Sequence, residues 1–169
     1  MIDELSDYWE HFERYRAVTL QMLDQVEEPD LDWRPLPEMM NLGQQFVHIA
    51  QAEDLMIRGL FEDDWDLDRA RLPKHVRDID KLRMSFEDAH ARARGKLDGL
   101  DVRGLFETFG EPPSTRASRL WALLEHEVHH AAQISLYLRL LGKVPPYFGE
   151  PLEPGSRPDV ALRAQYGGV

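Results

Sequence analysis

The stretch "LLEHEVHHAAQISLYLRLLG", residues 123–142, is a long, mostly apolar segment from which the fold of this chain can be predicted. It contains no proline, and no glycine before Gly142, a residue type that commonly ends a helix, so it predicts one long α-helix. Upstream, Ser114 or Thr115 is suited to begin this helix as its N-cap. Apolar residues cover nearly every side of the helix. We therefore predict that it is the fourth and central helix of a bundle.

Three histidines lie within five residues of this helix, and their spacing decides which of them act together. Since a helix turns by about 100° per residue, His126 and His130 share one face, whereas His129 diverges from His130 by roughly 100°. Two imidazoles at positions i and i+4 are spaced to bind one divalent ion. Gln133 and Tyr137 continue down this face. We expect them, together with His129, to support the ligands by hydrogen bonds or to contact a substrate.

Two histidines are too few ligands for a stable site, so a third ligand has to come from another helix. His48 in "FVHIAQAED" is the first candidate because it lies mid-helix beside an apolar stripe, where a seam between helices opens. His90 lies close to the apolar stripe of the third helix, where it fits either a fourth ligand or a hydrogen-bonded histidine of the core. His11 and His75 are predicted to be surface residues without a role.

The same residues, "HEVHH" at 126–130, match the H-E-x-x-H pattern of zinc peptidases. In that interpretation Glu127 is the general base and Glu150 is the third ligand. The chain is predicted to be all-helical, however, and it lacks an edge strand that would hold a peptide in extended form. A zinc hydrolase is therefore the weaker alternative.

Three further segments carry a helical period, and connectors rich in helix-breaking residues separate them. The first covers about residues 3–26, the second begins at the capping pair Asn41 and Gln44 and runs to about Phe61, and the third extends from Ile79 to Gly99. The expected fold is all-α, a four-helix bundle of the up-down type with long connections. We expect one domain over residues 1–169, with an irregular proline- and glycine-rich tail from about residue 143.

Composition disfavours or excludes several classes of function. The chain has 31 acidic against 20 basic residues and a net charge of -11, which opposes the binding of nucleic-acid phosphates. It has no cysteine, so a disulfide framework, a thiolate metal site and a nucleophilic cysteine are all excluded. The N-terminus has no secretory signal pattern and no stretch is apolar enough to span a membrane. We therefore expect a cytoplasmic protein without nucleic-acid or membrane partners.

Taken together, these segments resemble the DinB/YfiT-like family. The resemblance is carried by "NLGQQFVHIAQAED" in the second helix, by "LLEHEVHHAAQISLYLRLLGKVPP" in and after the fourth, and by "LDWRP" ahead of the second helix. Members of that family are four-helix bundles with a divalent-metal site of three histidines. Carried over by position, the resemblance implies that the ligands are His48, His126 and His130.

The resemblance also implies a class of activity. Characterised relatives use low-molecular-weight thiols such as mycothiol, bacillithiol or glutathione, and the missing cysteine agrees with a thiol supplied from outside. The expected function is a metal-dependent thiol S-transferase, or a related detoxification or stress enzyme, acting on a small-molecule substrate. The alternative is a non-catalytic stress module that binds metal or a small molecule.

The metal and the oligomeric state are left open by the sequence. One divalent transition metal is expected, Zn²⁺ or Ni²⁺ first and Fe²⁺ or Mn²⁺ as alternatives, because imidazole ligands suit most of these ions. Relatives are often homodimers, and both a homodimer and a monomer fit this chain.

Overall fold

The computed structural model describes residues 5–71, 73–98, 100–110 and 113–146. Four α-helices dominate this part of the chain, and each of the four predicted helices is confirmed to within a few residues. They are α1 (Leu5–Leu23), α2 (Leu42–Glu62), α3 (Ile79–Leu97) and α4 (Arg116–Leu140). The all-α fold class is confirmed.

The connectors contain short elements that the sequence did not predict. Three 3₁₀ turns occur at Glu28–Asp32, Leu67–Ala70 and Val102–Leu105. A two-residue antiparallel hairpin, β1 (Thr108–Phe109) and β2 (Ser114–Thr115), precedes α4. Elements this short carry no periodicity, so the sequence pattern could not predict them.

Both helices that carry the predicted ligands begin with a reciprocal capping box. At the start of α2, the backbone N–H of Gln44 donates to Oδ1 of Asn41 at 2.7 Å, and the backbone N–H of Asn41 donates to Oε1 of Gln44 at 3.0 Å. Thr115 and Ser118 form the same arrangement at the start of α4. Each box satisfies two backbone donors that a helix start leaves free, and so fixes where the helix begins.

The directions of the helices follow from the hydrogen bonds and ion pairs between them. Bonded pairs advance together along α1 and α4, and likewise along α2 and α3, whereas α2 and α4 pair in opposite senses. The pairs are Tyr8–Leu120 and Arg16–Glu127 for α1 with α4, Glu53–His90 and Glu62–Lys96 for α2 with α3, and Gln45–Gln133 and Leu60–Arg116 for α2 with α4. The order is up, down, down, up. The four-helix bundle with long connections is as expected, but α2 and α3 run in the same direction and do not alternate as in a strict up-down bundle. The chain has to return along the bundle between α2 and α3, and the long connector there allows it.

Apolar side chains from the helices fill two core clusters. The first includes Phe46 of α2, Phe86 of α3 and Ile134 of α4. The second includes Phe12 of α1 and Leu120 of α4. The helices are therefore held together along the bundle by apolar burial, with the polar groups described below placed between them.

One sequence expectation about α4 is wrong. This helix packs against α1 and α2, but Trp121, Leu136 and Leu140 are 48%, 54% and 57% exposed. The helix is therefore not buried on every side, because its outer apolar residues face away from α1 and α2. Neither α4 nor any other described helix has the length and apolar composition needed to cross a membrane.

Beyond α4 the chain turns at Gly142, whose φ of 76° favours glycine. Pro145 and Pro146 are buried. Residues 147–169, which make up most of the predicted irregular tail, lie outside the described residues.

Candidate metal centre

Three imidazole rings meet between α2 and α4. His48 comes from α2, and His126 and His130 come from successive turns of α4. Nε2 of His126 lies 3.0 Å from Nε2 of His48, and one ligand nitrogen from each residue lies within 4.8 Å of the other two. With zinc–nitrogen distances of about 2.0–2.1 Å, two tetrahedral nitrogen ligands lie roughly 3.3 Å apart. The group could hold one metal ion.

Burial keeps these rings in the neutral form that binds metal. It lowers the pKa of His126 to about 4 and that of His130 to about 3, and repulsion from neighbouring histidines lowers both further. Burial also lowers the pKa of His48. At neutral pH all three rings therefore carry a free lone pair, which is the state that a metal ligand requires.

The rings differ in their access to solvent. His130 is buried, whereas His48 and His126 are half-buried, so one side of the group opens outward. Nδ1 of His126 is buried and has no hydrogen-bond partner among the described residues. The donor set, three neutral imidazoles with converging nitrogens, fits a divalent transition metal.

Two of the residues predicted to support the ligands lie in a hydrogen-bond chain that reaches His130. Nδ1 of His130 is 2.8 Å from Oε1 of Gln45, and Nε2 of Gln45 donates to Oε1 of Gln133 at 2.9 Å. Nε2 of Gln133 lies 2.7 Å from Nε2 of His129, which is exposed. Gln133 therefore reaches His130 through Gln45, a residue that the sequence analysis did not single out.

Tyr137 has a different environment. Its side chain is buried, its hydroxyl donates to the backbone carbonyl of Met40 at 3.1 Å, and its ring packs edge-on against Trp33. These contacts join α4 to the connector that precedes α2. They give Tyr137 a packing role.

Glu127, the acidic residue of "HEVHH", is fully engaged by α1. Nε and Nη2 of Arg16 donate to its two carboxylate oxygens at 2.9 and 2.6 Å, and the hydroxyl of Thr19 donates to Oε1 at 2.9 Å. Arg16 also pairs with Glu53 of α2 at 2.9 Å. These charge-assisted hydrogen bonds direct both carboxylate oxygens at side chains of α1. This arrangement contradicts the peptidase interpretation, and Glu150, its proposed third ligand, lies outside the described residues.

The remaining histidines stand apart from the three-ring group. Nδ1 of His90 lies 3.1 Å from Oε1 of Glu53, and its ring stacks on Trp9 with 4.6 Å between centroids. His90 is therefore a hydrogen-bonded histidine within the bundle, as one of its two interpretations predicted. His11 and His75 are exposed, as predicted.

The sequence profile of the DinB family matches residues 1–159. The chain belongs to the DinB family. No curated protein matches the chain.

Solved structures share the DinB fold with this chain. A DinB-like protein from Bacillus subtilis aligns with a TM-score of 0.71 at 18% identity, covering 85% of this chain and 99% of that one. A DinB-like protein from Bacillus cereus gives 0.68 at 21% identity, covering 87% and 99%. A conserved protein from Enterococcus faecalis gives 0.68 at 20% identity, covering 85% and 100%. At these identities the likeness shows the fold alone.

Sequence patterns did not predict roles for Gln45, Arg16 and Glu53, although a signal for Gln45 is present. Gln45 precedes His48 by three residues, as Gln133 follows His130 by three, so each glutamine lies one helical turn from a candidate ligand. The Arg16 and Glu53 pairing has no comparable signal, because it depends on how α1 packs against the two ligand-bearing helices.

Proposed function

We propose that this DinB-family protein binds one divalent transition-metal ion through His48, His126 and His130 and transfers a small-molecule thiol to an electrophilic substrate. The observation that supports the proposal is the convergence of three neutral imidazole nitrogens within 4.8 Å. Three protein ligands leave coordination positions for another molecule, as in catalytic rather than closed structural sites. The rings of His48 and His126 are half-buried, so their side of the three-histidine group is accessible from solvent.

The chemistry follows from the donor set and from what the chain lacks. Zn²⁺ or Ni²⁺ is the ion proposed first, and when bound it would supply the Lewis acidity that lowers the pKa of an incoming thiol. The chain has no cysteine, so the sulfur nucleophile has to come from the small molecule. Glu127 is held by Arg16 and Thr19, which removes it as a general base and disfavours hydrolysis by an activated water.

A second candidate, a non-catalytic metal-binding module, is favoured by one observation. The three rings come from two helices, so a bound ion would cross-link α2 and α4 and stabilise the bundle without any reaction. The two functions differ in whether a small molecule reaches the ion.

The first experiment measures metal content. Untagged protein is analysed by inductively coupled plasma mass spectrometry beside a His126→Ala/His130→Ala variant, with His11→Ala/His75→Ala as the matched control of exposed histidines. We expect about one transition-metal ion per chain in the wild type and the control, and none in the site variant. Wild-type protein that binds no metal after Zn²⁺ or Ni²⁺ is added would contradict the proposal.

The second experiment separates the enzyme from the binding module. The protein is loaded with Co²⁺, and its visible absorption spectrum is recorded while glutathione, bacillithiol or mycothiol is added. A spectral change with one thiol, followed by turnover of an electrophile with that thiol, supports the transferase. An unchanged spectrum with every thiol, together with a large metal-induced rise in melting temperature, supports the non-catalytic module.

A further inference from the structure

A directional chain of hydrogen bonds leads from the protein surface to His130. It passes from His129 through Gln133 of α4 and Gln45 of α2, with separations of 2.7, 2.9 and 2.8 Å. Gln45 is 2% exposed, so its amide is shielded from water and depends on these protein partners.

With Gln45 and Gln133 oriented as they are in the structure, each bond in the chain has one direction. An amide oxygen only accepts, so Nδ1 of His130 carries the proton and donates to Oε1 of Gln45. A neutral imidazole has one N–H, and Nε2 of His130 is therefore left with its lone pair. Gln45 donates through Nε2 to Oε1 of Gln133, and Gln133 donates through Nε2 to Nε2 of His129.

Reversing the Gln45 amide while Gln133 keeps its orientation would break this order. Its NH₂ group would then face Nδ1 of His130, and its oxygen would lie against the oxygen of Gln133 at a hydrogen-bond distance, where two acceptors repel. Gln133 in its observed orientation thus fixes the orientation of Gln45, and Gln45 fixes the tautomer and the ring orientation of His130. Among the described residues His126 has no equivalent support, because its Nδ1 is buried without a partner.

We propose that Gln45 is a positioning residue that holds His130 with its proton on Nδ1 and its lone pair on Nε2, ready to bind metal, and that Gln133 locks the Gln45 amide. The inference rests on the proposed metal site and adds the residues that orient one of its ligands. Outer hydrogen-bond partners of metal-binding histidines raise ligand basicity, and their loss typically lowers metal affinity about 10- to 100-fold.

The test compares Gln45→Met, which keeps the side-chain length and loses the acceptor, with Gln45→Glu, which keeps an acceptor for Nδ1. Gln51→Met is the matched control, because Gln51 lies on the same helix and bonds to loop carbonyls instead. Long-range ¹H–¹⁵N NMR of the metal-free proteins reads the His130 tautomer, and competition with a chromophoric chelator gives the dissociation constant for Zn²⁺.

We expect wild type, Gln45→Glu and Gln51→Met to hold His130 in the Nδ1–H tautomer. Gln45→Met should populate both tautomers and bind Zn²⁺ about 10- to 100-fold more weakly. If Gln45→Met fails to fold, Gln133→Met takes its place. This variant removes the bonds of Gln133 to His129 and to Gln45 but keeps the bond between Gln45 and His130, so it should give the same changes with a smaller magnitude.

An unchanged tautomer in Gln45→Met, or in Gln133→Met where the first variant does not fold, would overturn the inference. So would a Gln45→Glu protein that has lost the Nδ1–H tautomer. The tautomer is read without metal, so a wild-type protein that shows it but binds no Zn²⁺ contradicts the proposed function and leaves the role of Gln45 supported.

Discussion

Nε2 of His126 faces Nε2 of His48 at 3.0 Å, although the two residues are 78 positions apart in the chain. Two neutral ring nitrogens at this distance repel each other unless one carries a proton or both lone pairs point at a cation. His48 belongs to α2 and His126 to α4, so an ion bound by both rings would relieve this repulsion and link the two helices. Metal binding and bundle stability should be linked at this point.

Adding Zn²⁺ is expected to raise the melting temperature. A free metal concentration about 100 times the dissociation constant stabilises the folded state by about 2.7 kcal/mol. For a chain of this size that corresponds to a shift of roughly 5–10 °C in differential scanning calorimetry. His48→Ala should abolish the shift, and His75→Ala, which alters an exposed histidine, should keep it. An equal shift in His48→Ala would place the ion elsewhere.

The metal-free protein is expected to lose stability as the pH falls below about 6.5. The pKa values of His126 and His130 are lowered to about 4 and about 3, mainly by burial and then by neighbouring histidines, whereas an unfolded histidine titrates near 6.5. Between these pH values the unfolded chain binds protons that the folded chain does not. The free energy of unfolding therefore decreases as the pH decreases. Above about 6.5 the rings are neutral in both states, and their contribution is constant.

Urea unfolding of metal-free protein at about pH 7, 6 and 5 measures this dependence. His130→Gln removes one buried ionisable ring, so its stability should fall less steeply, by up to about 1.4 kcal/mol per pH unit. His11→Ala is the control and should follow the wild type. A slope in His130→Gln as steep as that of the wild type would show that other groups cause the acid sensitivity.

Tyr137→Phe is expected to affect stability without affecting metal affinity. The variant loses the hydrogen bond from the hydroxyl to the carbonyl of Met40, which should cost about 1 kcal/mol in urea unfolding. Its ring still packs against Trp33. Zinc titration checks the second part of the prediction. A loss of affinity of about tenfold or more would return Tyr137 to the supporting role that its sequence position suggested.

Sequence reasoning succeeded where a single segment carries the whole signal. The four helices have long apolar periods and clear boundaries, and the Asn41–Gln44 pair predicted the start of α2 because a capping box is a local feature. The i and i+4 spacing of His126 and His130 placed their rings on one face of α4. His48 was the first candidate for the third ligand because of its position beside the apolar stripe of the second helix, and the family resemblance then implied the full set of three. Spacing within one helix says nothing about its neighbour.

What the sequence could not show depends on how the helices pack. Glu127 was the general base in one interpretation because the five-letter pattern is blind to Arg16, which lies 111 positions earlier in the chain and engages both carboxylate oxygens. Likewise, the parallel directions of α2 and α3 are visible only in contacts between the two helices, such as Glu53 with His90. The single domain, the cytoplasmic location and the homodimer stay predictions.

Glu127→Gln separates a structural role of this carboxylate from a catalytic one. The buried guanidinium of Arg16 would keep Glu53 as a charged partner but lose its charge-assisted hydrogen bonds to Glu127. This loss should cost about 1.5–3 kcal/mol in urea unfolding. The metal content of the folded fraction should stay at the wild-type value, because Glu127 does not belong to the three-histidine group. Glu125→Gln, at an exposed position of the same helix, is the matched control and should change neither quantity. A Glu127→Gln protein with wild-type stability but no activity would instead restore Glu127 as a general base. A catalytic base can be replaced without loss of stability, whereas replacing a charged partner of the buried Arg16 destabilises the bundle.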